Sequence, residues 1–277
     1  MLFEIPTSLL MQKRQQIPAI AEIVDRAMTS TQMRSPVARD LKISTRITLR
    51  NFCRVQFVAV TIILLAGSIG YAITKLTGHG NALGFLRLLN VGSEQSLPTY
   101  FSVINLLLAS ALVFVIFRHE KSLGIEQSGY WLFLSLLFLY LSVDESAGIH
   151  ESFSNLHDYM VRKDLIAPWL DTHSWVVFGV LFVAVVVIIL MPLIRRLTAD
   201  TRLYFLAAAT IFLTGALGFE YLGALMLEIG FVESKTDTAY LVRRLFEEGF
   251  EMYGVAIFNC AVYRELVARR ITLQFYT

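Results

Sequence analysis

The chain has 277 residues, of which 56% are hydrophobic and 17% charged, and its mean hydropathy is +0.60. This composition lies outside the range of ordinary soluble domains and is typical of a polytopic membrane protein. The formal net charge of +2, with basic residues spread along the chain, gives no basis for a nucleic-acid partner. The two cysteines, Cys53 and Cys260, have no spacing that predicts a disulfide framework or a zinc finger.

Residues 1–54 are predicted to form a cytoplasmic N-terminal tail. Within it, Ile17, Ile20, Val24 and Met28 recur at helical spacing beside basic residues. This pattern is typical of an amphipathic helix on the inner membrane surface. A cytoplasmic helix packed on the bundle explains the same periodicity equally well. The tail contains no apolar segment of the signal-peptide type, so we expect the first span to act as the insertion signal.

Six apolar segments follow, and each is close to the length of about 20 residues that a helix needs to cross a bilayer. Their continuous apolar character favours helices over transmembrane strands, which alternate. The segments are residues 55–77, 100–117, 130–150, 174–194, 203–227 and 245–263. The sequence therefore predicts an all-α integral membrane protein, with a bundle of six transmembrane helices over residues 55–266 and a short tail over 267–277.

The distribution of basic residues predicts the orientation of these spans. Seventeen Lys and Arg residues lie in the N-terminal tail and after spans two, four and six, against six in the other connections. Because cytoplasmic segments carry the excess of positive charge, both termini are predicted to be cytoplasmic. We expect the protein to lie in a bacterial inner membrane.

Ionisable residues cluster where the third span ends. Asp144, Glu145, His150 and Glu151 occur within two predicted helical turns at a membrane boundary. Charges at such a depth are unfavourable unless they are paired or bound to a metal. If the helix continues, Asp144, Gly148 and Glu151 lie on one stripe, with Glu145 and His150 on either side of it.

Two later spans are predicted to bring carboxylates to the same depth. Glu220 lies near the outer end of span five, and Glu251 lies near the outer start of span six. Neither has a basic residue within one helical turn, and small residues around both favour close helix packing. A group of carboxylates with histidine suits Fe, Mn or Zn. The sequence thus predicts a divalent metal site, with these six ligands: Asp144, Glu145, His150, Glu151, Glu220 and Glu251.

Structural explanations compete with this site. Arg243 and Arg244 precede Glu247 and Glu248 by four residues, a spacing that favours ion pairs. His150 and Glu151 also suit a solvated helix end, and Asp144 suits the cap of a break in the helix. The spacing differs from the Glu-x-x-His motifs of dinuclear metal sites in helical bundles.

Three functions remain open from the sequence. The first is a metal-dependent membrane enzyme that acts on an apolar or lipid substrate near the outer leaflet. The second is a transporter coupled to a cation or to protons. The third is a non-catalytic subunit of a larger membrane complex or of a homo-oligomer. No nucleotide-binding, zinc-protease or serine-hydrolase motif occurs in the chain.

Overall fold

The computed structural model describes residues 47–78, 84–93, 95–150, 152, 159–160, 162–163 and 174–271. These residues form helices and connecting turns, with no strand among them. The predicted amphipathic helix of the N-terminal tail lies outside this part of the chain, as does Glu151. The helices are α1 (Leu49–Thr77), α2 (Phe85–Leu88), α3 (Leu97–Ser122), α4 (Gly129–Ala147), α5 (Ser174–Arg196), α6 (Ala199–Leu213), α7 (Glu220–Glu228) and α8 (Thr238–Ala268).

Local sequence signals explain several helix ends. Helix α1 begins after Thr48, whose side chain accepts a hydrogen bond from the Asn51 amide, and it ends at Gly78 with φ of 68°. Helix α3 begins after Ser96, which caps it in the same way through the Thr99 amide. Caps of this kind satisfy amide groups that have no partner inside the helix, and glycine adopts the left-handed conformation without steric penalty. The ends of these predicted spans are therefore encoded locally.

Four of these helical segments are long and apolar enough to cross a membrane. They are Leu49–Thr77, Leu97–Ser122, Val176–Arg196 and the continuous segment Ala199–Glu228. Their outward surfaces suit lipid, since Leu181 is 61% and Ile188 is 72% exposed on α5. Helices α4 and α8 coincide with the two other predicted spans, but both carry acidic residues and neither is among the four. A helical protein with four candidate membrane-spanning helices is thus shown, whereas the count of six spans is not.

Helix α8 lies at the centre of the bundle. It packs on α6, α1, α3 and the turn between α6 and α7. Its buried Val262 and Phe258 join the main hydrophobic core, which also contains Ile116 of α3 and Trp131 of α4. Helix α8, which is long and carries polar residues, is therefore the element on which the apolar helices α1, α3 and α6 pack.

A π-helical turn, Thr214–Phe219, joins α6 to α7. Here Gly215 lies so close to α8 that an added Cβ would be 2.7 Å from Cγ of Glu251 and 2.8 Å from the Glu247 carbonyl oxygen. Such turns are frequent at functional sites because they change the direction of the side chains that follow. This turn places Glu220, the first residue of α7, opposite the start of α8.

A buried ion-pair network links the helices at the end of the bundle opposite to Glu220. The carboxylate of Glu120 on α3 accepts hydrogen bonds from Arg196 of α5 at 2.6 Å and from Arg269, just after α8, at 2.7 Å. Arg269 also donates to Glu265, which in turn accepts from Thr201 of α6. We call these five residues the Glu120 network. It links the ends of four helices that are far apart in sequence.

Candidate functional site

A large cleft runs between α5 and the helices α4, α6 and α8. Its volume is about 1260 Å³, and most of its wall is apolar. Leu137 and Phe138 of α4, Val186 of α5, Phe205 of α6 and Phe258 of α8 are among the side chains that form this wall. The volume exceeds the roughly 300–1,000 Å³ of sites that bind drug-sized ligands. The cleft therefore has room for a molecule with a long apolar chain.

The cleft follows α5 for most of the length of that helix. Its lining includes Phe178 near the start and Arg195 near the end. At 1.5 Å per residue these positions are about 26 Å apart along the axis, close to the roughly 30 Å of a hydrocarbon core. Arg195 and Arg202 line the end of the cleft near the Glu120 network, and acidic residues line the other end. The cleft thus has an apolar middle and two charged ends, of which one carries arginines and the other carries mainly acidic residues together with Lys235 and Arg244.

Five glutamates from three helices form the acidic end. Glu145, Glu220, Glu247 and Glu248 all lie close enough to Glu251 to interact with it electrostatically. All five line the cleft. We call them the carboxylate cluster: Glu145, Glu220, Glu247, Glu248 and Glu251. Like charges gathered in a medium of low dielectric repel one another strongly, so the arrangement needs compensation by positive charge or by hydrogen-bond donors.

Arg243 supplies part of this compensation. Its side chain is 3% exposed, and Nη1 lies 2.9 Å from Glu247 Oε2 and 3.6 Å from Glu220 Oε2. The guanidinium also donates to the Phe219 carbonyl oxygen and stacks over the ring of Tyr240. The ion pair predicted from the four-residue spacing is therefore confirmed for Arg243 and Glu247. The pair across helices with Glu220 has no signal in the local sequence.

Gly223 makes the position of Arg243 possible. A Cβ at residue 223 would lie 2.6 Å from Cζ of Arg243. The small residues around Glu220 thus act as the sequence predicted, by permitting close approach. The group that approaches Gly223 is the buried guanidinium of Arg243 on α8.

The break at the end of α4 determines where Asp144 and His150 point. Helix α4 ends at Ala147, Gly148 adopts a left-handed conformation with φ of 57°, and its amide donates to the Asp144 carbonyl oxygen at 2.8 Å. The Asp144 carboxylate then accepts from the His150 amide at 2.7 Å and lies 3.0 Å from Nδ1 of the same residue. The expectation that Asp144 caps a break is confirmed. The continuous helix on which the predicted stripe depends is interrupted, because Gly148 adopts the left-handed conformation.

The structure brings five of the six predicted ligands to one cleft. Asp144, Glu145, His150, Glu220 and Glu251 all line it. Within the described residues, however, no group of three or more His, Cys, Asp or Glu side chains is arranged so that it could hold a metal ion. The described residues therefore give the metal site no support, and a role for Fe, Mn or Zn stays a prediction.

Glu251 is packed closely by the turn that joins α6 to α7. Gly215 packs on its Cγ, and one turn later Gly254 packs on the backbone of Phe212. Two close contacts on one side of α8 turn the Glu251 side chain towards the space shared by α3, α4 and α6. Within the part of the chain that the structure describes, no hydrogen bond or ion pair within 4.0 Å is formed by its carboxylate.

One family model matches most of the chain. Residues 53–266 match the family described as a domain of unknown function, DUF8692. The chain belongs to this family. The matched segment begins in α1 and ends in α8, so it includes the cleft, the carboxylate cluster and Glu120. No curated protein and no solved structure matches the chain.

Proposed function

We propose that this protein crosses the bilayer six times, with both termini in the cytoplasm. The support comes from four helices of membrane-spanning length and from α4 and α8, which pack beside them in the same bundle. The excess of Lys and Arg in alternate connections supports the orientation. In this arrangement the carboxylate cluster lies in the outer leaflet, and the Glu120 network lies at the cytoplasmic ends of the helices.

We further propose that the protein binds a lipid-like amphiphile in the cleft. The observation that carries this proposal is a cleft of about 1260 Å³ with an apolar middle that ends at the carboxylate cluster. An acyl chain along α5 buries its apolar surface against aromatic and aliphatic side chains. Its polar group then lies among carboxylates, which are hydrogen-bond acceptors when ionised.

The geometry favours this function over the metal-dependent enzyme. Arg243 already provides a positive charge to Glu220 and Glu247, two carboxylates that a metal would otherwise neutralise. The carboxylates that remain, including Glu251, are of the type that acts in general acid–base catalysis. Binding of the amphiphile is therefore the first step to test, and turnover of the bound molecule is a separate question.

Photo-crosslinking in proteoliposomes tests the proposal. The probe is a monoacylglycerol with a diazirine on its acyl chain, and labelled peptides are mapped by mass spectrometry. We expect labels on cleft positions of α5 and α6 such as Val186, and we expect excess unlabelled 1-oleoylglycerol to remove them. Labels confined to outward positions such as Ile188 would contradict the proposal.

Two neighbouring residues of α6 provide a matched pair of variants. Ala209 and Thr210 are both exposed, but only Ala209 lines the cleft. We expect Ala209→Phe to narrow the cleft and to reduce the competed labelling several-fold. Thr210→Phe adds the same ring outside the cleft and should leave that labelling unchanged.

A further inference from the structure

A second, much smaller cavity adjoins the cleft at the carboxylate cluster. Its volume is about 10 Å³, which is close to the roughly 10–15 Å³ that one water-sized group requires. Its polar lining consists of Ser102, Asn105, Glu145 and Glu251. Glu145 and Glu251 line the cleft as well, so the two spaces share a wall. We call this space the Asn105 cavity.

Asn105 is almost completely buried, with 3% of its surface exposed, and it has an unused donor. Its Oδ1 atom accepts from Nδ2 of Asn259 at 2.8 Å, but its own Nδ2 is buried without a partner among the described residues. A buried donor left in this state costs about 1–3 kcal/mol. It is therefore the kind of group that a bound molecule satisfies.

The orientation of the Asn105 amide is fixed by its neighbour. Nδ2 of Asn259 also donates to the backbone carbonyl oxygen of Asn105 at 3.2 Å. Because that carbonyl can only accept, Asn259 must present its amino group to Asn105. The same amino group selects Oδ1 of Asn105, which leaves Nδ2 as the polar side-chain atom available to the cavity.

The chemistry of the lining selects the group that fits. Nδ2 of Asn105 requires an acceptor, whereas the carboxylate of Glu251 requires a donor or a cation. An ammonium group and a metal ion cannot accept a hydrogen bond, so each leaves Asn105 unsatisfied. A hydroxyl group both accepts and donates, and its single oxygen matches the volume of the cavity.

We propose that the Asn105 cavity is a subsite for one hydroxyl group of the amphiphile. The hydroxyl oxygen accepts from Nδ2 of Asn105, and the hydroxyl donates to the carboxylate of Glu251. This subsite rests on the proposed function, because the ligand reaches it from the cleft. In the absence of ligand a water molecule takes the same place, since it offers the same donor and acceptor. The ligand class is thus an apolar chain with an alcohol headgroup, such as a glycerol ester.

Binding of two matched lipids tests the subsite. The probes are 1-oleoylglycerol and its dimethyl ether, which keeps the acyl chain and lacks hydroxyl donors, titrated into the detergent-purified full-length protein. Loss of one satisfied hydrogen bond corresponds to roughly tenfold weaker binding. We expect the ether to bind about tenfold more weakly, because it has no hydrogen to donate to Glu251, and we expect Glu251→Leu, which removes the acceptor, to abolish this difference. Asn105→Leu removes the donor that both lipids can accept from, so it should weaken the binding of both.

Gln56→Leu is the control variant. Gln56 is a buried amide in α1 whose Oε1 has no partner among the described residues, and it lines neither cavity. This variant should keep the tenfold preference. Glu251→Gln keeps an acceptor oxygen and should also keep the preference. If Asn105→Leu does not fold, the comparison of Glu251→Leu with Glu251→Gln carries the test.

The outcomes separate the subsite from the proposed function. If neither lipid binds the unchanged protein, the proposed function fails. If both lipids bind the unchanged protein equally, if the preference survives in Glu251→Leu, or if Asn105→Leu binds both lipids as tightly as the unchanged protein, the subsite alone is overturned. A density map should show isolated water in the ligand-free cavity and density continuous with the glycerol group in the complex. Isolated water in both maps, or a metal ion identified by anomalous scattering, overturns the subsite.

Discussion

Arg243 on α8 lies 3.6 Å from Glu220 on α7, measured from Nη1 to Oε2. The same guanidinium lies 2.9 Å from Glu247, four residues further along its own helix. One buried cation thus holds two carboxylates from different helices at the acidic end of the cleft. This relationship explains how so many acids share one region of the bundle.

Replacement of Arg243 by methionine is expected to destabilise the protein. Removal of one partner of a buried ion pair costs about 3–5 kcal/mol, because the remaining charges lose their compensation. Thermal unfolding of the purified protein in detergent measures the change. Arg244→Met is the control, since Arg244 is only partly buried and forms no ion pair among the described residues. An equal loss of stability in both variants would refute the role of Arg243.

Replacement of Glu120 by glutamine is expected to weaken the opposite end of the bundle. Glu120 is 2% exposed and accepts from both Arg196 and Arg269. The amide leaves Arg196 without its counter-charge and leaves Arg269 paired with Glu265 alone, so we expect a loss of about 3–5 kcal/mol. Glu126→Gln removes the same charge at an exposed position near the same end and should change stability by less than about 0.5 kcal/mol. Chemical denaturation in detergent measures the free energy of unfolding of both variants. Equal values for the two would contradict a stabilising role of Glu120.

Two glycines of the π-helical turn should respond differently to alanine. A Cβ at residue 215 would lie 2.7 Å from Cγ of Glu251, which is too close for two carbon atoms. A Cβ at residue 218 would lie 3.7 Å from Cγ2 of Thr214, which is an ordinary van der Waals distance. We expect Gly215→Ala to cost about 1–3 kcal/mol, because α8 must move away. Gly218→Ala should be neutral or stabilising. Thermal unfolding compares the two variants, and a larger loss at Gly218 would show that the turn packs differently.

The turn before α8 should lose stability in acid. The Asp237 carboxylate accepts from the amides of Glu233 and Ser234, which lowers the pKa of Asp237 below its ordinary value. Because the unfolded chain binds the proton more tightly, the contribution is present above pH of about 4 and disappears as the pH falls below that value. The protection factors of these two amides, which compare measured with intrinsic hydrogen exchange at each pH, should fall in acid. Asp237→Asn should remove this pH dependence, and a fall that persists in this variant would contradict the assignment.

Single cysteines test the proposed orientation. In a background with Cys53→Ser and Cys260→Ser, cysteine replaces either Glu126 or Glu233, both of which are exposed. A maleimide that cannot cross membranes should label Glu233→Cys in intact cells, and it should label Glu126→Cys only after the cells are opened. The reverse pattern would invert the orientation, and labelling of both in intact cells would contradict the span count.

The sequence by itself determined the helical elements. Hydrophobic segments of the right length predicted α1, α3 and α5, although α3 continues to Ser122, beyond the predicted end at residue 117. Spacing along one helix also predicted the pair of Arg243 with Glu247, since residues four apart lie on the same face. These properties are local, so they can be read without knowledge of helix packing.

Only the tertiary structure decided the partners across helices and the shape of the cleft. Glu220 has no cation within one helical turn, yet it lies beside Arg243 because Gly223 lets the guanidinium approach. Asn105 and Asn259 are 154 positions apart, and their contact leaves a buried donor without a partner on Asn105, a residue that lines the small cavity. Such contacts depend on how helices rotate and cross, which depends on the packing of many side chains and is not encoded in any short segment.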